Sequence, residues 1–162
     1  MSATTWQTPR VRIFQASLDD LVELARLLYL DRLQGEPTQE RVEAFAVELA
    51  EWWATRRDSH RGFVARTLEG EMVGMAWVAM VPRVPRPGAV DRLSADIQTV
   101  FVRPEWRGQG VGSDLVRAAV EYAERIGALH TTVHSGRRAV PVYERLGFKS
   151  SPQLLQRTPS PQ

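Results

Sequence analysis

Three glycines at every second position mark a turn that could hold a phosphate group. Gly108, Gly110 and Gly112 directly precede the run 114–123, whose composition predicts a helix. Glycine lets a backbone approach a ligand closely because no Cβ stands in the way. The free N–H groups of a helix's first turn, together with the positive end of its dipole, bind anions. The segment therefore predicts a phosphate or pyrophosphate site on backbone amides, with Arg107 nearby.

The glycine spacing excludes two common phosphate-binding motifs and matches a third. A dinucleotide fingerprint would need glycine at Ser113, and a P-loop would need a Gly-Lys pair, which the chain lacks. The pattern R-G-x-G-x-G resembles the acetyl-CoA-binding motif Q/R-x-x-G-x-G/A of the GCN5-related N-acetyltransferases, with Arg107, Gly110 and Gly112 at its defining positions. The alternative is an ordinary glycine-rich turn between a strand and a helix, and the preceding V-F-V-R-P-E-W-R argues against it.

A second match to the same family lies downstream. The run 143–148, Y-E-R-L-G-F, resembles the family's closing Y-E-K-x-G-F. Taken alone, Gly147 followed by Phe148 predicts a helix end with an apolar anchor after it. The resemblance covers about residues 11–155 and is strongest over 95–148.

The elements around these motifs are predicted in the order β-α-α-β-β-β-α-β-α-β, which fits one mixed α/β layer fold. The resemblance implies a mixed, mainly antiparallel sheet of six to seven strands, splayed between the fourth and fifth strands and flanked by about four helices. The sixth strand is predicted to begin at Phe148 and Lys149. We expect one domain over 1–162, with its core at about 11–155 and a disordered tail at 156–162.

Helix starts and loops have local signals. Ser17 with Asp20 predicts a capping box, Thr38 caps a second helix, and the last helix is predicted to start near Val140, where the following proline is tolerated. The run 82–88 is too rich in proline to predict a strand or a helix.

The resemblance also implies how acetyl-CoA, the co-substrate, is bound. In the family, the pantetheine arm lies in the splay and pairs with the backbone of the fourth strand, here Val100, Phe101 and Val102. Amides of the glycine turn surround the pyrophosphate, and in this chain they belong to Arg107, Gly108, Gln109, Gly110, Val111, Gly112 and Ser113.

Acetyl transfer from a thioester to a primary amine requires that the amine lose a proton. With a pKa near ~10.4, about one amine in a thousand is neutral at pH 7. Asp96 stands early in the fourth strand, where family members often carry the base. The family residue is a glutamate, and the shorter aspartate implies a relaying water. The alternative is that Asp96 is a solvated strand residue.

The same transfer needs an oxyanion donor and an acid. The backbone N–H of Val100 or Phe101 is expected to stabilise the thioester oxygen. Tyr143 matches the family's general-acid position and would protonate the leaving thiolate, since thiols have a pKa near ~8.5. The alternative is that Tyr143 only packs in a helix. No signature of a covalent nucleophile is present, so direct attack within a ternary complex is the predicted mechanism.

Composition excludes several other classes. The chain has no cysteine, which removes disulfides, thiolate metal sites and cysteine nucleophiles. His130 and His134 share a predicted strand face but have no further ligands spaced for a metal, so no metal site is expected. The net charge is +2 and arginines alternate with acids, so nucleic-acid binding is not expected. Residues 1–6 do not begin a signal peptide and no run is long enough to span a membrane, which predicts a cytoplasmic protein without a membrane anchor.

Two other functions and the identity of the acceptor stay open. One alternative is a non-catalytic acyl-CoA-binding or regulatory module of the same fold, and the other is a basic protein binding nucleic acid through the loop 82–92. Residues available for a small-molecule or peptide amine acceptor, at the family's acceptor-shaping elements, are Tyr29, Asp31, Trp52, Trp53, Arg83 and Arg86. Acids and aromatics favour a cationic amine, whereas the arginines favour a carboxylate or phosphate on it. The resemblance also makes a homodimer one expected assembly.

Overall fold

One mixed sheet organises the chain in the computed structural model, which describes residues 10–33 and 35–159. The strands are β1 (Val11–Gln15), β2 (His60–Thr67), β3 (Met72–Arg83), β4 (Arg92–Val102) and β5 (Ala128–Val133). The helices are α1 (Leu21–Arg32), α2 (Gln39–Ala54), α3 (Val111–Arg125) and α4 (Val140–Arg145), with short 3-10 turns at Leu18–Asp20 and Pro104–Trp106.

The strand order is β1-β2-β3-β4-β5, with antiparallel pairing from β1 to β4 and parallel pairing between β4 and β5. Pairing of β4 with β5 ends at Ile97 opposite Val133, although β4 continues to Val102. The predicted mixed, mainly antiparallel sheet is confirmed, and it opens between the fourth and fifth strands.

The predicted six to seven strands are not found: five are present in the described part of the chain. No strand begins at Phe148 and Lys149, and residues 148–159 contain neither helix nor strand. Phe148 instead packs edge-on against Tyr143, with ring centroids 5.4 Å apart. Polar residues and Pro152 follow it, so no alternating apolar pattern supports pairing. Of the predicted tail 156–162, residues 160–162 lie outside the described residues, as do residues 1–6.

A β-bulge interrupts β4 where its pairing with β5 ends. Ile97 and Thr99 pair with the consecutive β3 residues Val78 and Trp77, so Gln98 is an extra residue on β4. Bulges bend a strand and increase its local twist. The bend therefore falls at the position from which β4 has no partner on one side.

Two apolar cores cover the two faces of the sheet. On one face α3 buries Leu115, Val116 and Ala119 against the strands. On the other face α1 and α2 bury Leu24 and Trp53 among their neighbours in the second core. The end of β4 contributes to both cores, with Val102 in the first and Phe101 in the second.

Local signals fixed the helix starts as predicted. The capping box of Ser17 and Asp20 is formed, and the Thr38 side chain accepts from the Arg41 N–H at 3.4 Å. The proline-rich loop was predicted to begin at Pro82, but β3 continues to Arg83. Met80 N–H donates to Ser59 O on the β2 side of β3. Since backbone groups alternate along a strand, the Pro82 nitrogen faces the same side, but there β2 is no longer present. The missing N–H of proline therefore costs no hydrogen bond in the sheet.

The Asp20 carboxylate connects the start of α1 to the sheet. It accepts from Ser17 N–H at 2.7 Å and from Arg66 at 2.6 Å, and Arg66 also donates to Glu23 at 2.7 Å. The side chain of Asp20 is 12% exposed and that of Glu23 46%. Losing Asp20 therefore leaves a half-buried arginine and a capping N–H without their buried partner.

We expect Asp20→Ala to lower the free energy of unfolding by about 2–4 kcal/mol, because it removes a buried charge partner and a cap. Glu23→Ala removes an exposed partner of the same arginine and should cost less than about 1 kcal/mol. Urea unfolding of both variants measures the difference. Equal losses would show that Asp20 contributes no more than a surface ion pair.

Candidate functional site

The glycine turn carries unpaired backbone donors at the start of α3. Gly110 is the N-cap residue, and no side chain caps this helix end. The first helical bond runs from Asp114 N–H to Gly110 O at 3.0 Å. The N–H groups of residues 111–113 therefore have no partner within the helix, and they point out of its positive end.

The backbone explains why two of the glycines are needed. Gly108 and Gly110 have φ of 71° and 84°, a left-handed conformation that side chains disfavour. A Cβ on either would have no atom within 4 Å, so conformation rather than crowding requires glycine there. A Cβ on Gly112 would lie 3.6 Å from Val102 Cγ2, so the first turn of α3 rests on the end of β4.

Arg107 is held against β4. Its Nε donates to Val102 O at 2.9 Å, and its guanidinium lies 5.7 Å from the Phe101 ring centroid. Burial raises the pKa of the Asp31 carboxyl at the end of α1, and the charges of Arg32 and Arg107 offset part of that rise. The turn thus has a fixed positive charge beside its free N–H groups, with α1 close by.

The open edge of β4 can be identified from its hydrogen bonds. Arg103 N–H donates to Val73 O on β3. Backbone groups of successive strand residues point to opposite sides, so those of Phe101 also face β3, whereas those of Val100 and Val102 face the gap. Val102 O is occupied by Arg107, which leaves the backbone of Val100 turned toward the opening.

A cleft of about 480 Å³ lies next to this edge, between α2 and the bulged strands. Its walls, which we call the aromatic cleft, consist of Leu28, Phe45, Glu48, Leu49, Trp52, His60, Trp77, Gln98 and Thr99. The Trp52 ring lies 4.9 Å from that of His60 and 6.2 Å from that of Trp77, both edge-on. Gln98 and Thr99 belong to both the cleft and the bulge.

His60 is a polar residue of the cleft that the sequence analysis did not assign to a site. Its Nδ1 lies 2.9 Å from Ser59 Oγ. Burial and the nearby charge of Arg56 lower the pKa of His60, and a hydrogen bond with Gln98 offsets part of this, so the imidazole is neutral at pH 7.

Asp96 lies in the same row of the sheet. Cα pairing joins His60 to Ala79, Ala79 to Asp96, and Asp96 to Thr132. Residues in register across a sheet share a face. Asp96 Oδ1 accepts from Thr132 Oγ1 at 3.0 Å. Asp96 does not line the aromatic cleft, but its carboxylate is on the same face as His60, with only alanine between them.

Tyr143 is half-buried in α4 and lines a different cleft of about 530 Å³ along β5 and the segment 148–154. Burial raises the pKa of its phenol. This cleft shares no lining residue with the aromatic cleft. Thr132, whose Oγ1 donates to the Asp96 carboxylate, lines this cleft together with Tyr143, so a single residue of β5 connects the two predicted catalytic side chains.

The residues predicted to bind the acceptor lie in different parts of the structure. Trp52 lines the aromatic cleft, Tyr29 and Asp31 line an adjoining cleft of about 370 Å³, and Trp53 is buried with its Nε1 donating to His60 O at 3.2 Å. Arg83 pairs with Arg92, six residues before Gln98, which places it about 20 Å along the sheet. Arg83 is thus remote from the aromatic cleft, and Arg86, which pairs with Ala89 in the following loop, does not line it.

The described ranges, 10–33 and 35–159, contain no metal-binding cluster and no membrane-spanning helix. No three histidine, aspartate or glutamate residues there form a group that could hold a metal ion. His130 lies in β5, whereas His134 follows the end of that strand. None of the helices described has the length and apolar character needed to cross a bilayer.

The sequence pattern of the acetyltransferase (GNAT) family matches residues 20–148. An uncharacterized N-acetyltransferase of Methanocaldococcus jannaschii is 31% identical over 105 residues, which cover 60% of this chain and 42% of that protein. A glucosamine 6-phosphate N-acetyltransferase of Trypanosoma brucei brucei is 32% identical over 87 residues, covering 54% of this chain and 57% of the relative. The chain thus spans about half the length of these two relatives.

The fold is also found among solved structures. A predicted acetyltransferase from Clostridium acetobutylicum, solved with acetyl-CoA, superposes with a TM-score of 0.67 over 91% of this chain and 96% of that one. Its sequence is 16% identical, so the likeness concerns the fold alone.

Proposed function

Because the chain belongs to the acetyltransferase (GNAT) family, we propose that it transfers the acetyl group of acetyl-CoA to a primary amine. The observation that carries the proposal is the juxtaposition of an uncapped helix start, with Arg107 beside it, and the open backbone edge of β4. Family members are acyltransferases, and a neighbour with the same fold was solved with acetyl-CoA.

Acetyl-CoA would bind in two parts. Its pyrophosphate would accept from the backbone amides of residues 108–113, where donors, dipole and the Arg107 charge favour an anion, whereas the Arg107 N–H already donates to Pro104 O at 3.2 Å. Its pantetheine arm would enter the gap and pair with the backbone of β4 at residues 100–102, mainly through the groups of Val100. An extended arm that adds to an unpaired strand edge gains hydrogen bonds without displacing any.

The thioester would then lie beside the bulge. Attack by the amine nitrogen on the carbonyl carbon places negative charge on its oxygen, and the Val100 N–H that faces the gap would donate to it. Of the two donors considered from the sequence, Phe101 is turned toward β3 by the alternation of the strand. Collapse of the tetrahedral intermediate breaks the carbon–sulfur bond and releases the thiolate.

Proton transfers would be divided between the two sides of the gap. Asp96, fixed by Thr132, would accept the amine proton through a water, since its short side chain stays outside the aromatic cleft. Tyr143 would donate its hydroxyl proton to the CoA sulfur. The raised pKa of the phenol keeps the group protonated at neutral pH, as a proton donor must be.

We expect Gly110→Leu to abolish acetyl-CoA binding, because the side chain would stand at the pyrophosphate site and force the turn out of its left-handed conformation. The matched control is Gly127→Leu. Gly127 has φ of 87°, next to 84° for Gly110, and open space around it, but it lies past the other end of α3. Both variants should lose about 1–2 kcal/mol of stability. Calorimetric titration with acetyl-CoA distinguishes them, and unchanged affinity in Gly110→Leu would disprove the site.

We expect Asp96→Asn to reduce turnover at pH 7 by about 10²–10⁴-fold, because positioned proton acceptors typically contribute that much. The rate should recover as rising pH supplies neutral amine. Asp91→Asn, an exposed carboxylate just before β4, is the control. If the pH–rate profiles of Asp96→Asn and the parent coincide, Asp96 is not the base, and His60 becomes the residue to replace.

We expect Tyr143→Phe to retain the fold and the affinity for acetyl-CoA while lowering turnover by about 10²–10⁴-fold. The change keeps the ring that packs on Phe148 and removes only the hydroxyl. Tyr122→Phe is the control, because Tyr122 lies on α3 and the change likewise removes only a hydroxyl, one that accepts from Arg61 Nε at 2.9 Å. Single-turnover kinetics should be used so that acetyl transfer is rate-limiting. Parental rates in Tyr143→Phe would mean that the residue only packs.

A further inference from the structure

We propose that the acceptor is a primary amine carried on a flat, apolar and uncharged body, and that this body binds in the aromatic cleft. The inference rests on the proposed acetyl transfer and specifies its second substrate. It depends on the composition of the cleft, on the charges that line it and on its position relative to the open edge of β4.

The walls of the cleft suit an apolar body. Five of its nine lining residues are large and hydrophobic, namely Leu28, Phe45, Leu49, Trp52 and Trp77. Trp52 is 37% exposed, whereas Trp77 beneath it is 5% exposed. Their edge-on contact leaves a rigid surface against which a planar group can pack, and aromatic rings contribute such area with little loss of side-chain freedom. The volume of about 480 Å³ is that of a small-molecule site.

The charges of the cleft suit an amine and disfavour an anion. No arginine or lysine lines it, and Glu48 is the charged residue among the nine. His60 adds no positive charge at neutral pH because burial and Arg56 lower its pKa. An ammonium group can approach Glu48, whereas a phosphate or carboxylate would find no cationic partner and would lose its hydration.

The nearby arginines Arg41 and Arg56 do not line the aromatic cleft, although the charge of Arg56 reaches His60. Arg56 lies 5.2 Å from the centroid of the Trp52 ring and donates to Trp52 O at 3.0 Å. Arg41 lies 5.4 Å from the Tyr29 ring and lines the adjoining cleft, which also holds Asp31. The aromatic cleft itself is therefore the apolar part of this surface.

The position of the cleft brings an amine to the reacting carbon. Gln98 and Thr99 form both one wall of the cleft and the bulge that ends the pairing of β4 with β5. Val100, whose backbone faces the gap, follows directly. A body packed on Trp52 and Trp77 with a short chain to its nitrogen would thus direct that nitrogen along β4 toward the thioester.

Two acceptors of opposite character test the inference with a free-thiol readout. We expect kcat/KM for 2-phenylethylamine to exceed that for glucosamine 6-phosphate by at least about tenfold, since apolar contacts in a pocket typically change specificity by about 10–200-fold. Glucosamine 6-phosphate is the matched opposite because it carries its amine on a polar, anionic body. Acetyl-CoA binding is measured in parallel by calorimetry.

Replacement of the cleft wall provides the second arm. Trp52→Ala should raise KM for 2-phenylethylamine by about 10–100-fold while leaving KM for ethylamine, which has no ring, nearly unchanged. Val47→Ala, on the same helix but 60% exposed and outside the cleft, should change neither. Trp53→Ala is avoided because Trp53 is buried in the core and its truncation would destabilise the fold.

The outcomes separate the inference from the function on which it rests. Failure to bind acetyl-CoA would overturn both. Three results would overturn the acceptor class while leaving acetyl transfer standing, provided that acetyl-CoA binds. They are a preference for glucosamine 6-phosphate, no turnover of 2-phenylethylamine, and an equal change in KM for 2-phenylethylamine and ethylamine in Trp52→Ala. A preference for 2-phenylethylamine that Trp52→Ala selectively removes would establish the acceptor class.

Discussion

The loss of pairing between β4 and β5 beyond Ile97 is the constraint on which the site depends. A parallel neighbour would otherwise occupy the donors and acceptors on that side of β4. The extra residue Gln98 bends the strand at this position, so the next backbone groups are directed into a gap. Unpaired strand edges are a liability in folded proteins unless something covers them. Here an edge only a few residues long is exposed, and the extended arm of a ligand can complete it.

The other parts of the site are arranged around this edge. The first turn of α3 rests on the end of β4, with Gly112 against Val102, and Arg107 donates to the carbonyl of the same residue. The anion site and the strand edge are thus joined through one residue, Val102. A ligand with a phosphate at one end and an extended arm at the other could use both the free N–H groups at the start of α3 and the open edge of β4.

How much the sequence could predict depended on whether the signal was local. The capping box at Ser17 and the start of α4 near Val140 follow from one or two side chains and their own backbone, and they were predicted correctly. The helix after the glycine turn begins at Val111, three residues before the predicted Asp114. The sixth strand rested on Phe148 alone, with no alternating pattern after it, and it does not form. Pro82 can extend β3 because the pairing of β3 with β2 stops at Ala79, and this register is set by tertiary structure rather than by the local sequence.

The bulge and the aromatic cleft were beyond the sequence for the same reason. The run 95–102 gives no sign that Gln98 is an extra residue, and Trp52 and Trp77 come together only when α2 packs on the sheet. The register that results sets His60, Ala79 and Asp96 in one row, with about 5 Å between neighbouring strands and so about 10 Å between the outer two. Ala79 between them is only 4% exposed, and the Asp96 carboxylate accepts from Thr132 on the far side of the row, so the link between the proposed base and the cleft depends on packing that the sequence alone does not show.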